Sequence, residues 1–489
     1  MTLSLLLKRI TSITMARSIS IFSALAVSMI LTRIISVEEL GQYRTIWILY
    51  GVLGPVVTGS LSGLLYYRGS DESKRSESIT IGLFLSSFLG VFMFLIVWLG
   101  FPWWQTLFHA EGLYLAFRNF SIYMLFSGFS SVIESVFVLK HRNKWLFAHN
   151  LFSNSFEVSS IVIPFYLGYS LEVVSFCMIA APFLRSIFLM FFTKSDWTSV
   201  SWNQIKKSLP FDIRYVGGLM LVSIAGIASV NMDSWFVRWF YADDAIFAHY
   251  VIGARKIPFI SALLNAAASA LLIQLGKQFK EHKFKESFAT IKMISSTLFS
   301  LIAPFLVLFL LFSEQLMQLL FGGFESSAPV FQVYLGTVVV HFLFSDTILL
   351  ALGKSNLVFW ASAIELVVNA VLSVCFLYWI GFTGPAWATL IAHIVYILIC
   401  KFLADGQMPQ KVPFSDYFSV NYAAKSFVVM SILAGLFFIQ TSYFPASVTA
   451  FIVYLILLLI IQIVIFKPQI IQLKSILSPV KQSVSISDE

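Results

Sequence analysis

Charge is scarce in this sequence. Only 11% of its 489 residues are Asp, Glu, Lys or Arg, against about 25% in soluble domains. Hydrophobic residues make up 58%, 50 of them Phe, and the mean hydropathy is +0.87. A soluble enzyme with a single anchor is excluded, and an all-α polytopic membrane protein is predicted, with much of the Phe facing lipid. Cysteine is nearly missing: Cys177, Cys375 and Cys400 fall in apolar stretches without metal-ligand spacing, so neither a disulfide nor a metal site is implied. No GxxxxGK[ST] loop is present, which removes a built-in ATPase. The net charge of +8 comes from short basic loops between apolar runs, a topology signal and not a nucleic-acid patch. Arg17 interrupts the first apolar run and many runs follow, so a retained helix is predicted and not a cleaved signal peptide.

A window of about 19 residues finds about fourteen spans. They fall near 12–35, 40–67, 79–101, 114–139, 146–168, 171–193, 211–240, 244–275, 288–312, 328–352, 357–380, 384–404, 417–441 and 446–466. With the N-terminus inside, the loops at 36–39, 102–113, 169–170, 241–243, 313–327, 381–383 and 442–445 lie outside and hold no Lys or Arg. The inside loops carry the basic residues, from Arg68, Lys74 and Arg75 through Lys140, Arg142 and Lys144 to Lys354, Lys401 and Lys411. This asymmetry predicts an N-in, C-in protein. No outer loop is large enough to house a catalytic domain, which argues against a membrane glycosyltransferase or ligase.

Two blocks of six spans resemble each other. Glu38-Glu39 before Tyr43 is echoed by Asp243-Asp244 before Tyr250, Glu77-Ser78 by Glu286-Ser287, and Lys140 with Asn154 by Lys354 with Asn369. The expected domains are an N-lobe at 1–193, a connector at 194–210, a C-lobe at 211–404, a second connector at 405–416, two further spans at 417–466 and a cytoplasmic tail at 467–489. Parallel repeats of this kind place a substrate site between the lobes near mid-depth.

The stretch Leu31 to Tyr43, LTRIISVEELGQY, resembles the opening of the polysaccharide-repeat-unit flippases. These belong to the multidrug/oligosaccharidyl-lipid/polysaccharide superfamily. Leu350 to Lys354, Asn369, and Gly381 to Ala386 (GFTGPA) are similar to that family's second half, with Pro385 departing from its small residue after Gly. The resemblance implies two six-helix lobes in a V plus two C-terminal helices. It also implies flipping of an undecaprenyl-pyrophosphate-linked oligosaccharide, for O-antigen or capsule, across the bacterial inner membrane. Membrane lipids and the polysaccharide polymerase and chain-length machinery are the partners expected with it. A peptidoglycan-precursor flippase and a cation-coupled multidrug antiporter are the rival transport readings. No enzyme activity and no cofactor are implied, and H+ or Na+ is the coupling ion to be expected.

Charges inside apolar spans cost about 2.5–3.5 kcal/mol each and mark cavities, counter-charges or snorkelling side chains. Arg255 and Lys256, near the middle of 243–275, are the prime pair, with Arg255 favoured for the cavity. Arg17 either lines a cavity or snorkels, while Arg118 and Arg185 either face the cavity or anchor at an interface. The fifth span presents Asn150, Ser153, Asn154, Glu157 and Ser160 on one face, matched by Glu365 and Asn369 on the eleventh. Glu134 is a candidate partner for Arg17 or Arg255. Arg33 and Arg44 are expected either to form an ion-pair cluster with Glu38 and Glu39 or to serve as an outer gate, and Asp233 is expected to pair with Arg238. Asp233 and Asp346 are the candidate coupling acids. His249, His341 and His393 are expected to be held by hydrogen bonds. Gly54-Pro55 and Pro258 are expected to bend their helices into a hinge or lipid portal.

Overall fold

The computed structural model describes residues 3–69, 72–197, 200–255, 257–408, 413, 417 and 419–467. Side chains at 3–18 and at a few later positions lie outside that description, so the predicted contributions of the Arg17 and Lys256 side chains do too. Every regular element among the described residues is helical. The chain forms two compact units, Met1–Val251 and Ile252–Glu489, taken here one at a time.

The first unit contains α1 (Leu3–Ile34), α2 (Val37–Gly69), α3 (Arg75–Leu99), α4 (Phe101–Leu107), α5 (Tyr114–Ser130), α6 (Ile133–Leu139), α7 (Asn143–Tyr166), α8 (Leu171–Met178), α9 (Ala180–Trp197) and α10 (Trp202–Phe240). The division falls inside α11 (Asp244–Gly253). The second unit continues with α12 (Pro258–Lys280), α13 (Phe284–Leu311), α14 (Ser313–Phe321), α15 (Ala328–Val340), α16 (Ser345–Ala351), α17 (Ser355–Trp379), α18 (Gly384–Gln407), α19 (Val420–Tyr443) and α20 (Val448–Ile465).

Eleven helices or helix pairs among the described residues are long and apolar enough to cross a membrane. The other three predicted spans, 12–35, 146–168 and 211–240, coincide with α1, α7 and α10, which run for 32, 24 and 39 residues. The stripe of Asn, Ser and Glu on α7 lowers its hydropathy. Large apolar side chains lie on the outer surface where lipid would meet them, among them Phe191, Trp379 and Phe402.

The first unit reaches past the predicted N-lobe because α10 packs along α2 and is pinned at both ends. At one end Arg68 pairs with Asp212 and, at 2.9 Å, with Glu77. At the other, Arg238 lies 2.8 Å from Asp244, to which Gln42 donates at 3.1 Å. The pair expected between Asp233 and Arg238 is therefore not formed. Asp233 instead accepts from Tyr250 at 3.1 Å, because Arg238 is drawn toward the chain reversal, where it also donates to His109 O at 3.0 Å. Between α3 and α5, Gly90 and Gly128 bring the backbones together: a Cβ on Gly128 would lie 2.5 Å from Gly90 Cα.

Proline acts differently at its two expected hinges. α2 runs unbroken through Pro55. Proline cannot donate to the Gly51 carbonyl, and Asn231 on α10 supplies that donor, its Nδ2 lying 3.2 Å from Gly51 O. Pro258 instead opens a new helix. The span predicted at 244–275 is two helices, with Ile257 extended before the proline and Arg255 in the break. The span predicted at 328–352 is likewise split, by a tight turn at His341–Leu343 and a left-handed Phe344 at φ 47°.

Candidate functional site

A cavity of about 390 Å³ lies within the first unit, bounded by α1, α2, α5, α6, α7 and α9. The polar stripe of α7 builds one wall. Asn150 donates to Glu134 Oε1 at 2.9 Å, and Asn154 donates to Ser20 Oγ at 3.0 Å. Glu157 pairs with Arg185 from α9 and accepts from Tyr123 Oη at 2.8 Å. The facing wall is aromatic. Tyr43, Trp47 and Tyr50 recur at helical spacing on α2; Trp47 and Tyr50 meet Tyr123 edge to face, with centroids 5.5 and 5.8 Å away, and Tyr43 meets Trp47.

Arg44 enters this cavity from α2. It donates to Ser28 Oγ and sits 5.5 Å from the Tyr43 ring centroid. No carboxylate among the described residues pairs with it, which corrects the place expected for Arg44 in the cluster with Glu38 and Glu39. The reason is helical phase: Glu39 bonds back to Ser36 at the helix start, whereas Arg44 lies on the Tyr43–Trp47 side facing inward.

Five buried polar atoms around the cavity have no protein partner among the described residues: Arg44 Nε, Trp47 Nε1, Arg185 Nε, Ser131 Oγ and His149 Nε2. Three can only donate, Ser131 Oγ can donate, and His149 Nε2 accepts while its Nδ1 donates to Asn150 Oδ1 at 3.1 Å. Buried groups are ordinarily paired, so five orphans converging on one cavity mark a place for water or for an acceptor-rich ligand.

Of the predicted residues, Glu134, Asn150, Asn154, Glu157 and Arg185 come together here. Arg118 does not: it is exposed on the opposite side of α5 from Phe117 and Phe120, which are buried. Arg255 lines a smaller cavity of about 150 Å³ within the second unit, with Ser261, Asn265, Tyr334, Thr337 and His341. Glu365 and Asn369 line neither of these two cavities. Glu365 bonds to His393 at 3.0 Å and Asn369 to Thr389 and Ser373, because α17 turns this face onto α18. Asp233 is buried within the first unit outside the large cavity, and Asp346 starts α16 in the second, its carboxylate accepting from Thr347 N at 2.7 Å. Among the described residues no three His, Cys, Asp or Glu are grouped for a metal. The sequence places Arg44 in an outer ion-pair cluster and does not single out Trp47, Tyr50, Tyr123 or His149. The Tyr43, Trp47, Tyr50 spacing was the signal that could have found the aromatic wall.

This arrangement of helices is a fold shared with solved transporters. It is similar to the structure of the Lipid II flippase MurJ in an inward closed conformation, with a TM-score of 0.71 at 14% identity, covering 94% of this chain and 99% of that one. An inward-facing multidrug resistance MATE family transporter of the MOP superfamily gives a TM-score of 0.59 at 13% identity, over 81% of this chain and 98% of that one. A MOP superfamily transporter from Pyrococcus furiosus, described as having a binding pocket of reverse polarity, gives 0.54 at 13% identity over 81% and 93%. Comparison with curated proteins finds no match. The chain belongs to the polysaccharide biosynthesis protein family, whose profile matches residues 30–325.

Proposed function

We propose that this protein is a flippase that carries an undecaprenyl-pyrophosphate-linked oligosaccharide across the bacterial inner membrane. The observation that carries the proposal is the set of orphan donors in the first unit's cavity, led by the Arg44 guanidinium. A guanidinium without a carboxylate partner suits a pyrophosphate, which accepts charge-assisted and often bidentate hydrogen bonds. The aromatic wall and the Asn and Ser side chains suit sugar rings and hydroxyls. The cavity volume of about 390 Å³ lies in the range of about 300–1,000 Å³ common for small-ligand sites. The lipid tail would remain in the bilayer. Membership of a polysaccharide biosynthesis family and the transporter fold support the same reading.

The energy source in this proposal is an ion gradient, with Asp233 and Asp346 as the acids first considered for it. The polysaccharide polymerase and chain-length machinery are the partners that would receive the flipped lipid. A strain lacking the gene, complemented with Arg44→Ala, should show surface polysaccharide reduced at least about tenfold, with partial recovery in Arg44→Lys. Normal polysaccharide with Arg44→Ala overturns the proposed site. A peptidoglycan-precursor flippase is the second reading, favoured by the likeness to MurJ over 94% of this chain. Rescue of a strain depleted of its own lipid II flippase would select it.

A further inference from the structure

We infer that His149 determines sugar specificity in the first unit's cavity, its Nε2 lone pair accepting from a hydroxyl or N-acyl N–H of the carried oligosaccharide. This deepens the flippase reading and rests on it. A chain of hydrogen bonds fixes which ring nitrogen holds the hydrogen. The Glu134 carboxylate accepts, so the Asn150 amide turns its Nδ2 toward Oε1, at 2.9 Å. The amide oxygen then faces the ring, and Asn150 Oδ1 lies 3.1 Å from His149 Nδ1. An amide oxygen can only accept, so Nδ1 carries the hydrogen and Nε2 is left as an acceptor. His149 lines the cavity, and its Nε2 is buried with no protein partner among the described residues. The Phe137 ring of α6 packs beside the imidazole, at 5.7 Å between centroids.

This sets one acceptor in a cavity whose other orphan atoms can all donate. Arg44, Trp47 and Arg185 offer hydrogens that suit the oxygens of a pyrophosphate. His149 Nε2 cannot serve such a group, because lone pair would meet lone pair. The two chemistries are also separated along the cavity wall. On α7, His149 and Glu157, the partner of Arg185, lie about two turns apart, or about 12 Å along the axis. The surroundings of His149 are hydroxyls and amides. Ser153 follows one turn on along α7, and Ser131 stands in the link from α5 to α6, just before Glu134; both line the cavity. A neutral sugar has hydroxyls that donate and accept, so it satisfies the Nε2 lone pair and the orphan Ser131 Oγ together. A carboxylate or phosphate satisfies only the second. Asn150 and Glu134 act as positioning residues, since they keep the hydrogen on Nδ1. His149 therefore distinguishes the glycosylated lipid from the bare one, while Arg44 binds the pyrophosphate that both carry.

Equilibrium binding to the purified full chain in lipid nanodiscs tests this with two probes. One is the lipid-linked oligosaccharide extracted from a strain lacking the gene, and the other is bare undecaprenyl pyrophosphate. The wild type should bind the glycosylated lipid at least about tenfold more tightly. His149→Phe keeps a ring without an acceptor. It should weaken the glycosylated lipid at least about fivefold and leave the bare one within about twofold. His149→Gln returns an acceptor oxygen near the Nε2 position and should recover most of that loss. Asn150→Ala frees the ring to carry its hydrogen on either nitrogen, and should give a smaller loss confined to the glycosylated lipid. Arg44→Ala should instead weaken both lipids alike. Melting temperatures report whether each variant is folded, and Asn150→Ala carries the test if His149→Phe is not. Equal affinity of the wild type for the two lipids overturns the sugar contact. So does an equal loss of both lipids in His149→Phe, no loss of either, or no recovery in His149→Gln; the flippase reading survives each of these. Failure of the wild type to bind either lipid sinks that reading, and the inference with it.

Discussion

The two units treat corresponding polar faces in opposite ways. On α7, Asn150, Asn154 and Glu157 look into open space, and their partners Glu134, Ser20 and Arg185 stand around it. On α17, Glu365 and Asn369 occupy the matching positions but are closed against His393, Thr389 and Ser373 of the local helix pair. The difference lies in what faces each stripe. Around α7, large aromatics and arginines from α2 and α9 prop the walls apart, leaving about 390 Å³. Against α17, α18 packs closely and presents Thr389 and His393, so the polar groups pair. One polar stripe borders a cavity in the first unit, and the other is packed against a neighbouring helix in the second.

The sharpest way to break this comparison is to disturb the packing that frames the open unit. Gly128→Ala should destabilise by about 3 kcal/mol, since its Cβ would meet the Gly90 backbone at 2.5 Å. Gly276→Ala in α12 of the second unit, where nothing lies within 4 Å, should instead be neutral or slightly stabilising. Thermal unfolding in detergent separates them, and equal melting temperatures would contradict the close α3–α5 contact.

Next in size is the ion pair on the cavity wall. Arg185→Ala should cost on the order of 2 kcal/mol, less than the ~3–5 kcal/mol for a fully buried pair, because each side chain keeps 19% exposure. Adding Glu157→Gln should restore most of the loss by removing the charge left behind. A double variant no more stable than Arg185→Ala would show that the pair does not hold the wall.

Arg44→Ala should leave the melting temperature within a few degrees of the wild type, since no carboxylate depends on it, and should reduce transport at least about tenfold. A fall in stability as large as that of Arg185→Ala would recast Arg44 as structural. The smallest effect belongs to the closed stripe. Asn369→Ala should cost about 1 kcal/mol, the ordinary value of a buried hydrogen bond, with transport retained. A transport defect without loss of stability would mean that the α17 face also meets the substrate.

Local chemistry made some features legible in one dimension. The alternation of apolar runs with basic loops marked the helices. The i, i+3/i+4 pattern of Asn150, Ser153, Asn154 and Glu157 marked a face that could not lie in lipid. Arg44 was misread because its near neighbours in the chain are acids, while its rotational position on α2 turns it inward. Pro55 and Pro258 read alike in sequence. One is absorbed because Asn231, 180 residues from Gly51 in the chain, supplies the donor that the Gly51 carbonyl lacks, and the other starts a new helix.

Composition and periodicity by themselves determined that this is a helical, multi-pass membrane protein with polar groups buried at chosen depths. A span must be apolar for about 20 residues, and that requirement is written residue by residue. Only the tertiary structure decided which polar groups remain open and which are satisfied. That choice depends on the side chains brought from other helices: Tyr43, Trp47 and Tyr123 stand around Arg44, whereas α18 brings His393 to Glu365.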